Sequence, residues 1–356
     1  MDISKAPELI EQVNQSVSFM PNDSKWIPGS ACFVAMGVYP KATGALTVFG
    51  LNQTEITTHA ELEKTYGIKC GTFGASAFEN RHLATGDYKG FISVWDLEKP
   101  AVPVFSAQAH ESIVNSIDGC GGQIAGRGAP EIVTGSRDGC IRVWDVRVPE
   151  PVVTLAPNEQ DTARDCWTVC FGNAYDDTER CVVGGYANGD IKMFDLRTKT
   201  LRWETTCING VVNVQFDCKN NIMNKLLVTT LESEFHMYDL RTLHPEKGFA
   251  SVTEKAHKST IWQGRFLPQN RDFFVTSGGN GGLNFYKYHY PLSRTAEDAD
   301  GRLYGVGGTI ELLNSRVLST HPIVSMDWSL DREGLCTLAC LDQTIRVYIV
   351  TNTNKY

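Results

Sequence analysis

EIVTGSRDGCIRVWD, residues 131 to 145, sets two apolar-rich runs on either side of Arg-Asp-Gly and closes on Trp144-Asp145. Strand, tight turn and strand are the sense of this order, because Asp-Gly supplies the turn conformation that a two-stranded hairpin needs. The same phrase returns as HLATGDYKGFISVWD at 82 to 96 and as RCVVGGYANGDIKMFD at 180 to 195. The chain is therefore built from repeats, and their count decides the fold.

Aligning the aromatic residue that closes each hairpin gives Phe49, Trp95, Trp144, Phe194, Tyr238, Tyr286 and Tyr348, at intervals of 46, 49, 50, 44, 48 and 62 residues. A period in this range, with short strands and no helical spacing of apolar residues, predicts an all-β, seven-bladed β-propeller of four-stranded sheets spanning 1–356. In unit two the strands are expected near 68–74, 81–88, 91–97 and 103–108, and in unit four near 166–172, 180–186, 190–196 and 200–206. The last unit ends on IRVYIV, 345 to 350, a third strand with no fourth behind it. Residues 9–18, which precede the first unit, are expected to supply that outer strand and close the ring, removing an exposed edge.

A histidine before the first strand and an Asp in the later turn mark the complete unit: His110, Thr134, Asp138 and Trp144. Weakened versions are expected from His257, Thr276, Asn280 and Tyr286, and from His321, Asp342 and Tyr348; Lys89 and Asn188 stand at the turn position of units two and four. His, Asp and a hydroxyl also suggest a catalytic triad. Recurrence at a fixed repeat position favours a structural role, in which the imidazole satisfies buried polar groups that would each cost ~1–3 kcal/mol if left unpaired.

With 42% apolar and 21% charged residues the chain can bury a large core, and a formal charge of −8 argues against phosphate-driven nucleic-acid binding. The N-terminal MDISKAPELIEQ lacks the apolar run of a signal peptide and no 18-residue apolar stretch occurs, so the expected location is the cytoplasm, away from membranes. Eleven cysteines stand without a disulfide framework or a C-x-x-C pair. Cys166 and Cys170, like Cys336 and Cys340, are four apart, which on a regular strand places each pair on one face but ~13 Å apart, too far to share an ion. No catalytic residue, metal or cofactor is expected. The glycine-rich 119–130 lacks the Gly-Lys-Ser/Thr ending of a phosphate cradle and reads as a loop. The polar stretch 290–309 reads as a mobile surface insertion.

The surface left for function is the channel mouth. Counting from each unit's first strand puts Lys69, Asn115, Trp167, Val212 and Trp262 on one ring, with Arg164 and Asp165 beside it and Tyr88, Arg137 and Leu341 before the turn positions. The candidate protein-binding rim is Lys69, Tyr88, Arg137, Arg164, Asp165, Trp167, Trp262 and Leu341, since Trp and Arg are favoured interface anchors.

Longer stretches carry a narrower likeness: CGTFGAS at 70–76, GAPEIVTGSRDG at 128–139, RDCWTVCFGNAY at 164–175, LRWETT at 201–206, HPEKGFASVTEKAHKSTIWQ at 244–263 and LPQNR at 267–271. On these residues the chain resembles the Monad-type WD-repeat adaptors. That resemblance implies a non-enzymatic cytoplasmic adaptor of the RuvB-like ATPase and prefoldin-like co-chaperone machinery, linked to HSP90. It implies RuvB-like ATPases, a tetratricopeptide co-chaperone adaptor, prefoldin-like subunits and dynein heavy chains as partners, the chain itself being a monomer within larger assemblies. In ciliated cells it implies preassembly of axonemal dynein arms, and a role in apoptosis is also attributed to the family. A substrate-receptor propeller of a ubiquitin ligase is the alternative use of the same scaffold.

Overall fold

The computed structural model describes residues 6–122, 130–157, 162–176, 178–244, 247–297 and 301–353. They form seven four-stranded antiparallel sheets and one two-stranded hairpin. Blade 1 is Met20–Trp26, Cys32–Val38, Gly44–Asn52 and Glu55–Lys64, read from the channel outward; blade 2 is Ile68–Thr72, Leu83–Asp87, Phe91–Trp95 and Phe105–Gln108. Blade 3 follows with Val114–Cys120, Glu131–Ser136, Ile141–Trp144 and Val153–Leu155, and blade 4 with Cys166–Gly172, Cys181–Tyr186, Asp190–Asp195 and Thr200–Thr206. Blade 5 comprises Val211–Phe216, Lys225–Thr230, Glu234–His244 and Gly248–Lys255, and blade 6 comprises Ile261–Leu267, Asn270–Gly278, Gly282–His289 and Thr309–Val317. Blade 7 takes Ile323–Trp328, Leu335–Cys340 and Thr344–Val350 from the chain's end and its outer strand, Leu9–Ser16, from the beginning.

The all-β, seven-bladed ring closed by the N-terminal strand is thus the observed fold. Leu9 pairs with Val350 and Ser16 with Thr344, with one bulge between Glu11 and Val13. The Tyr348 hydroxyl bonds the Glu11 carboxylate, Arg316 of blade 6 donates to Leu9 O over 2.6 Å, and Thr351 N donates to Glu8 O over 3.0 Å.

The apolar interior is divided into seven clusters, one at each seam between neighbouring blades. Val34, Met36 and Leu46 of blade 1 pack with Ile68, Phe73 and Leu83 of blade 2, and Phe235 and Met237 of blade 5 with Phe266, Phe274 and Tyr286 of blade 6. A single blade leaves both faces bare, and burying one such aromatic or aliphatic side chain contributes ~1.5–3 kcal/mol, so stability resides in the pairing of blades. The seam of blades 5 and 6 also buries an ionic group: Lys225 lies 2.8 Å from Asp272 and 3.6 Å from Asp217, with its ammonium 4.5 Å from the Tyr290 ring centre.

The turn glycines explain why the repeats keep their Asp-Gly or Asn-Gly. Gly90, Gly139, Gly189 and Gly281 all have positive φ, and a Cβ on Gly281 would fall 1.9 Å from Ser319 O. The turn presses on the loop entering the next blade, so only glycine fits both the dihedral and the space.

One sequence expectation about the insertions changes. The described residues of the 290–309 segment do not form a free excursion: Thr295–Glu297 pairs with Leu303–Gly305, and these strands lie against blade 5. Arg294 lies 3.2 Å from Asp239 as an ion pair and the Lys247 ammonium sits 4.9 Å from the Tyr304 ring centre, contacts that periodicity within one repeat cannot announce. Most of the glycine-rich 119–130 segment, residues 123–129, lies outside the described residues.

Deleting residues 1–18 exposes the edge of Thr344–Val350 and uncovers the pocket of Leu9, which is 2% exposed. The expected result is a fall in melting temperature on the order of 10 °C by calorimetry; an unchanged transition would mean that the ring holds without this strand.

Candidate functional site

Each innermost strand begins at one end of the channel, and in all seven the ladder to the second strand slips by one residue at the same place. The slipped residues are Asn22, Lys69, Asn115, Trp167, Val212, Trp262 and Val324. A bulge leaves one residue unmatched and re-aims its side chain. Here the seven line the mouth of a channel cavity of about 580 Å³. A second circle surrounds them, in which the first turn residue of a blade donates to the carbonyl just before its inner strand: Tyr88 to Gly67, Arg137 to Ile113, Ala187 to Asp165, Leu231 to Gly210, Gly279 to Thr260 and Leu341 to Pro322.

The structure brings the sequence-derived rim residues onto this one end. Lys69, Trp167 and Trp262 stand on the inner circle, and Tyr88, Arg137 and Leu341 on the outer. Arg137 reaches Asp165 across the seam of blades 3 and 4, at 3.5 Å, with Arg164 exposed beside it. The mouth is two-sided. Blades 1 to 3 present Asn22, Lys69, Asn115 and Tyr88, the Tyr88 hydroxyl lying 3.4 Å from Asn22 Oδ1. Blades 4 to 7 present Trp167, Val212, Trp262, Val324 and Leu231, and the entering loop of blade 5 adds Ile208, 93% exposed. Gly210 lets this arc close up, since a Cβ there would lie 2.7 Å from the Trp167 ring.

Sequence reasoning missed the residues directly after each bulge. Asp23 accepts from Gly71 N over 2.9 Å, Ser116 from Val169 N over 3.1 Å, Thr168 from Val214 N over 3.1 Å, Asn213 from Gly264 N over 3.1 Å and Gln263 from Met326 N over 2.8 Å. Ser325 accepts from Ser24 N over 3.4 Å, and the Cys70 thiol donates to Val114 O over 3.5 Å. Every seam is thus stitched next to the channel. Their signal in the sequence is a polar or thiol residue at one fixed place in otherwise apolar strands.

The tetrad of blade 3 is assembled: His110 Nε2 lies 2.8 Å from Thr134 Oγ1, which accepts from Trp144 Nε1 over 3.2 Å, and His110 Nδ1 lies 3.0 Å from Asp138 Oδ2. In blade 6, His257 Nε2 lies 2.8 Å from Thr276 Oγ1, Gly282 N donates to Asn280 Oδ1 over 3.3 Å, and the Tyr286 hydroxyl accepts from Asn284 over 3.0 Å. Blade 7 departs from expectation. His321 is exposed and bonds Thr320 instead of Asp342. Ser319 takes the position of His110: both donate their amide to the turn glycine carbonyl, of Gly281 and Gly90, and Ser319 Oγ donates to Asp342 over 3.0 Å. His321 comes two residues too late in the loop, and Arg346, 2.8 Å from Asp342, supplies the remaining charge. Tyr348 turns outward to Glu11 of the closing strand.

The cysteines show what the bulge does to side-chain parity. Cys166 packs at the seam of blades 3 and 4 and Cys170 at that of blades 4 and 5, because the extra residue, Trp167, turns them to opposite faces. Cys336 and Cys340, with no bulge between them, share one face. Among the described residues no group of three metal-ligating side chains comes together, and no helix is long and apolar enough to cross a membrane.

A seven-bladed ring with tetrads of this kind is a WD-repeat propeller, and the WD domain, G-beta repeat family model matches residues 101–145. The particular relatives share the whole length. Dynein axonemal assembly factor 10 of Homo sapiens is 51% identical over 356 residues, covering 100% of both chains. That of Xenopus laevis is 54% identical over 350 residues, 98% of each, and that of Chlamydomonas reinhardtii 51% identical over 357 residues, again 100% of both. The chain belongs to the dynein axonemal assembly factor 10 family, in line with the adaptor resemblance read from its motifs.

Asp138 gives the tetrad a pH signature. Burial alone would raise its carboxyl, but hydrogen bonds from His110 and from the amides of Cys140 and Glu111 outweigh it and hold the pKa at about 2. A depressed carboxyl stabilises the fold above its unfolded pKa of roughly 4 and loses that contribution as pH falls toward 2. Unfolding free energy measured against pH should show wild type above Asp138→Asn at neutral pH, by on the order of 1 kcal/mol after solvent screening. The gap should close below roughly pH 4; a gap constant to pH 2 would assign the loss to packing.

Proposed function

We propose that this chain is a non-catalytic adaptor that holds proteins at its channel mouth during preassembly of axonemal dynein arms in the cytoplasm. The observation that carries the site is the division of the mouth into an apolar arc centred on Trp167 and Trp262 and a polar arc around Lys69, beside the Arg137–Asp165 pair. Rigid aromatics next to arginine suit protein recognition, because they give large contact area at low entropic cost. Support for the process comes from relatives in a vertebrate, an amphibian and an alga that share the name dynein axonemal assembly factor 10.

The partners that follow from the adaptor resemblance are RuvB-like ATPases, a tetratricopeptide co-chaperone adaptor, prefoldin-like subunits and dynein heavy chains, within the HSP90-linked machinery; the apoptosis-related role belongs to the same reading. A disc of stitched blades fits this work by presenting several faces at fixed angles. Affinity capture with mass spectrometry tests it. Wild type should recover RuvB-like ATPases and dynein heavy chains, and the triple variant Trp167→Ala, Trp262→Ala, Arg137→Ala should lose at least about tenfold of that recovery while keeping its melting temperature. Undiminished recovery would move the interface to another face, and capture of cullin subunits instead would make the chain a ubiquitin-ligase substrate receptor.

A further inference from the structure

Eight of the eleven cysteines are buried, leaving Cys32, Cys140 and Cys218 partly exposed. Burial pushes the Cys120 and Cys336 thiols up to about 12, and Cys140 is raised by its own burial and by Asp138 beside it. Among the described residues, Cys32 alone has a histidine within hydrogen-bond reach: its Sγ lies 3.9 Å from His59 Nδ1.

That contact spans two strands of blade 1, at the end opposite the channel mouth. Cys32 opens the second strand and pairs with Gly50 on the third. Because Gly50 has no side chain, the imidazole from the outer strand lies over it; a Cβ there would fall 2.4 Å from His59 Nε2. Thr57 bonds the ring on its far side. Its hydroxyl donates to Gly50 O over 3.4 Å, leaving the oxygen to accept from His59 Nε2 at 3.1 Å. The Nε2–H tautomer is thereby favoured, and bare Nδ1 faces the thiol. Nucleophile, base and orienting group follow in order, with the imidazole itself open to solvent.

We propose that Cys32 is a reactive modification site that takes up low-molecular-weight disulfides, with His59 as its base and Thr57 as a positioning residue. His59 Nδ1 accepts the Sγ proton, and the thiolate attacks one sulfur of the disulfide. The Cys32 Sγ–S bond forms as the original S–S bond breaks. The departing thiolate takes the proton from His59, so one thiol is released for each mixed disulfide made. Cys32 is oxidised to the disulfide level and the departing half is reduced.

The probe is dithiodipyridine at less than one equivalent, followed by thiopyridone release and peptide mapping. The first label should fall on Cys32, and Cys32→Ser should lose the fast phase. His59→Asn should slow it about tenfold or more. Thr57→Ser should keep the wild-type rate and Thr57→Val should not, a rescue that a merely structural threonine would not show. First labelling at Cys140 or Cys218 in the wild-type protein would overturn the proposal, as would a wild-type rate in His59→Asn with its melting transition intact.

Discussion

The innermost strand of a propeller blade is an edge, hydrogen-bonded to its own sheet on one side and open to the channel on the other. Its free amides would each cost ~1–3 kcal/mol if left unsatisfied at a dry seam. At six of the seven seams the cost is met by the neighbouring blade, where a side chain from one inner strand accepts from a backbone N–H of the next, as from Asp23 to Gly71 and from Ser325 to Ser24; between blades 2 and 3 the Cys70 thiol donates to Val114 O instead. Further bonds add to this nearer the far end, from Phe171 N to Asp118, Phe266 N to Gln215 and Trp26 N to Asp327. The stitches are possible because a bulge precedes each of these side chains and turns it along the ring instead of into the channel. Blade order, channel lining and the position of the mouth all follow from this one arrangement.

The same arrangement separates what must be kept from what is free to vary. The residue after the bulge is committed to the seam, whereas the bulged residue lines the mouth, where Asn22 and Asn115 also bond the next blade at Ile68 O and Cys166 O but the others share no such duty. That freedom lets one half of the mouth be Trp, Val and Trp while the other is Asn, Lys and Asn. Decay of the tetrads is tolerated for a related reason. Blade 7 does with Ser319 and Arg346 what blade 3 does with His110, and it spends its closing tyrosine on the N-terminal strand. Blade 5, which lacks the pattern, buries Lys225 between Asp217 and Asp272 at its seam.

The ring of seven and its closure were legible in the sequence because hairpin turns and closing aromatics recur at nearly fixed intervals, and because an unpaired final strand demands a partner. The common end on which the rim residues lie was legible for the same reason, since positions counted from the inner strand survive any loop chemistry. What escaped were features that depend on contacts between repeats. The bulge at Trp167 reverses the parity that places Cys166 and Cys170, and a period-two reading cannot see it. His321 was chosen by residue type, but the loop geometry selects Ser319, four residues before the strand as His110 and His257 are before theirs. The hairpin after Tyr290 looked free because its anchors, Asp239 and Thr242, belong to the preceding blade.

Amide hydrogen exchange tests the stitched ring most directly. The amides of Gly71, Val169, Val214, Gly264 and Met326 face no strand partner, yet each is held by a side chain of the adjoining blade. They should exchange as slowly as the ladder amides of the second strands and open in the same cooperative step as the pairing of Leu9–Ser16 with Thr344–Val350. Fast exchange at two or more of these seams, with the ladders still protected, would show blades standing side by side without the belt on which this account rests.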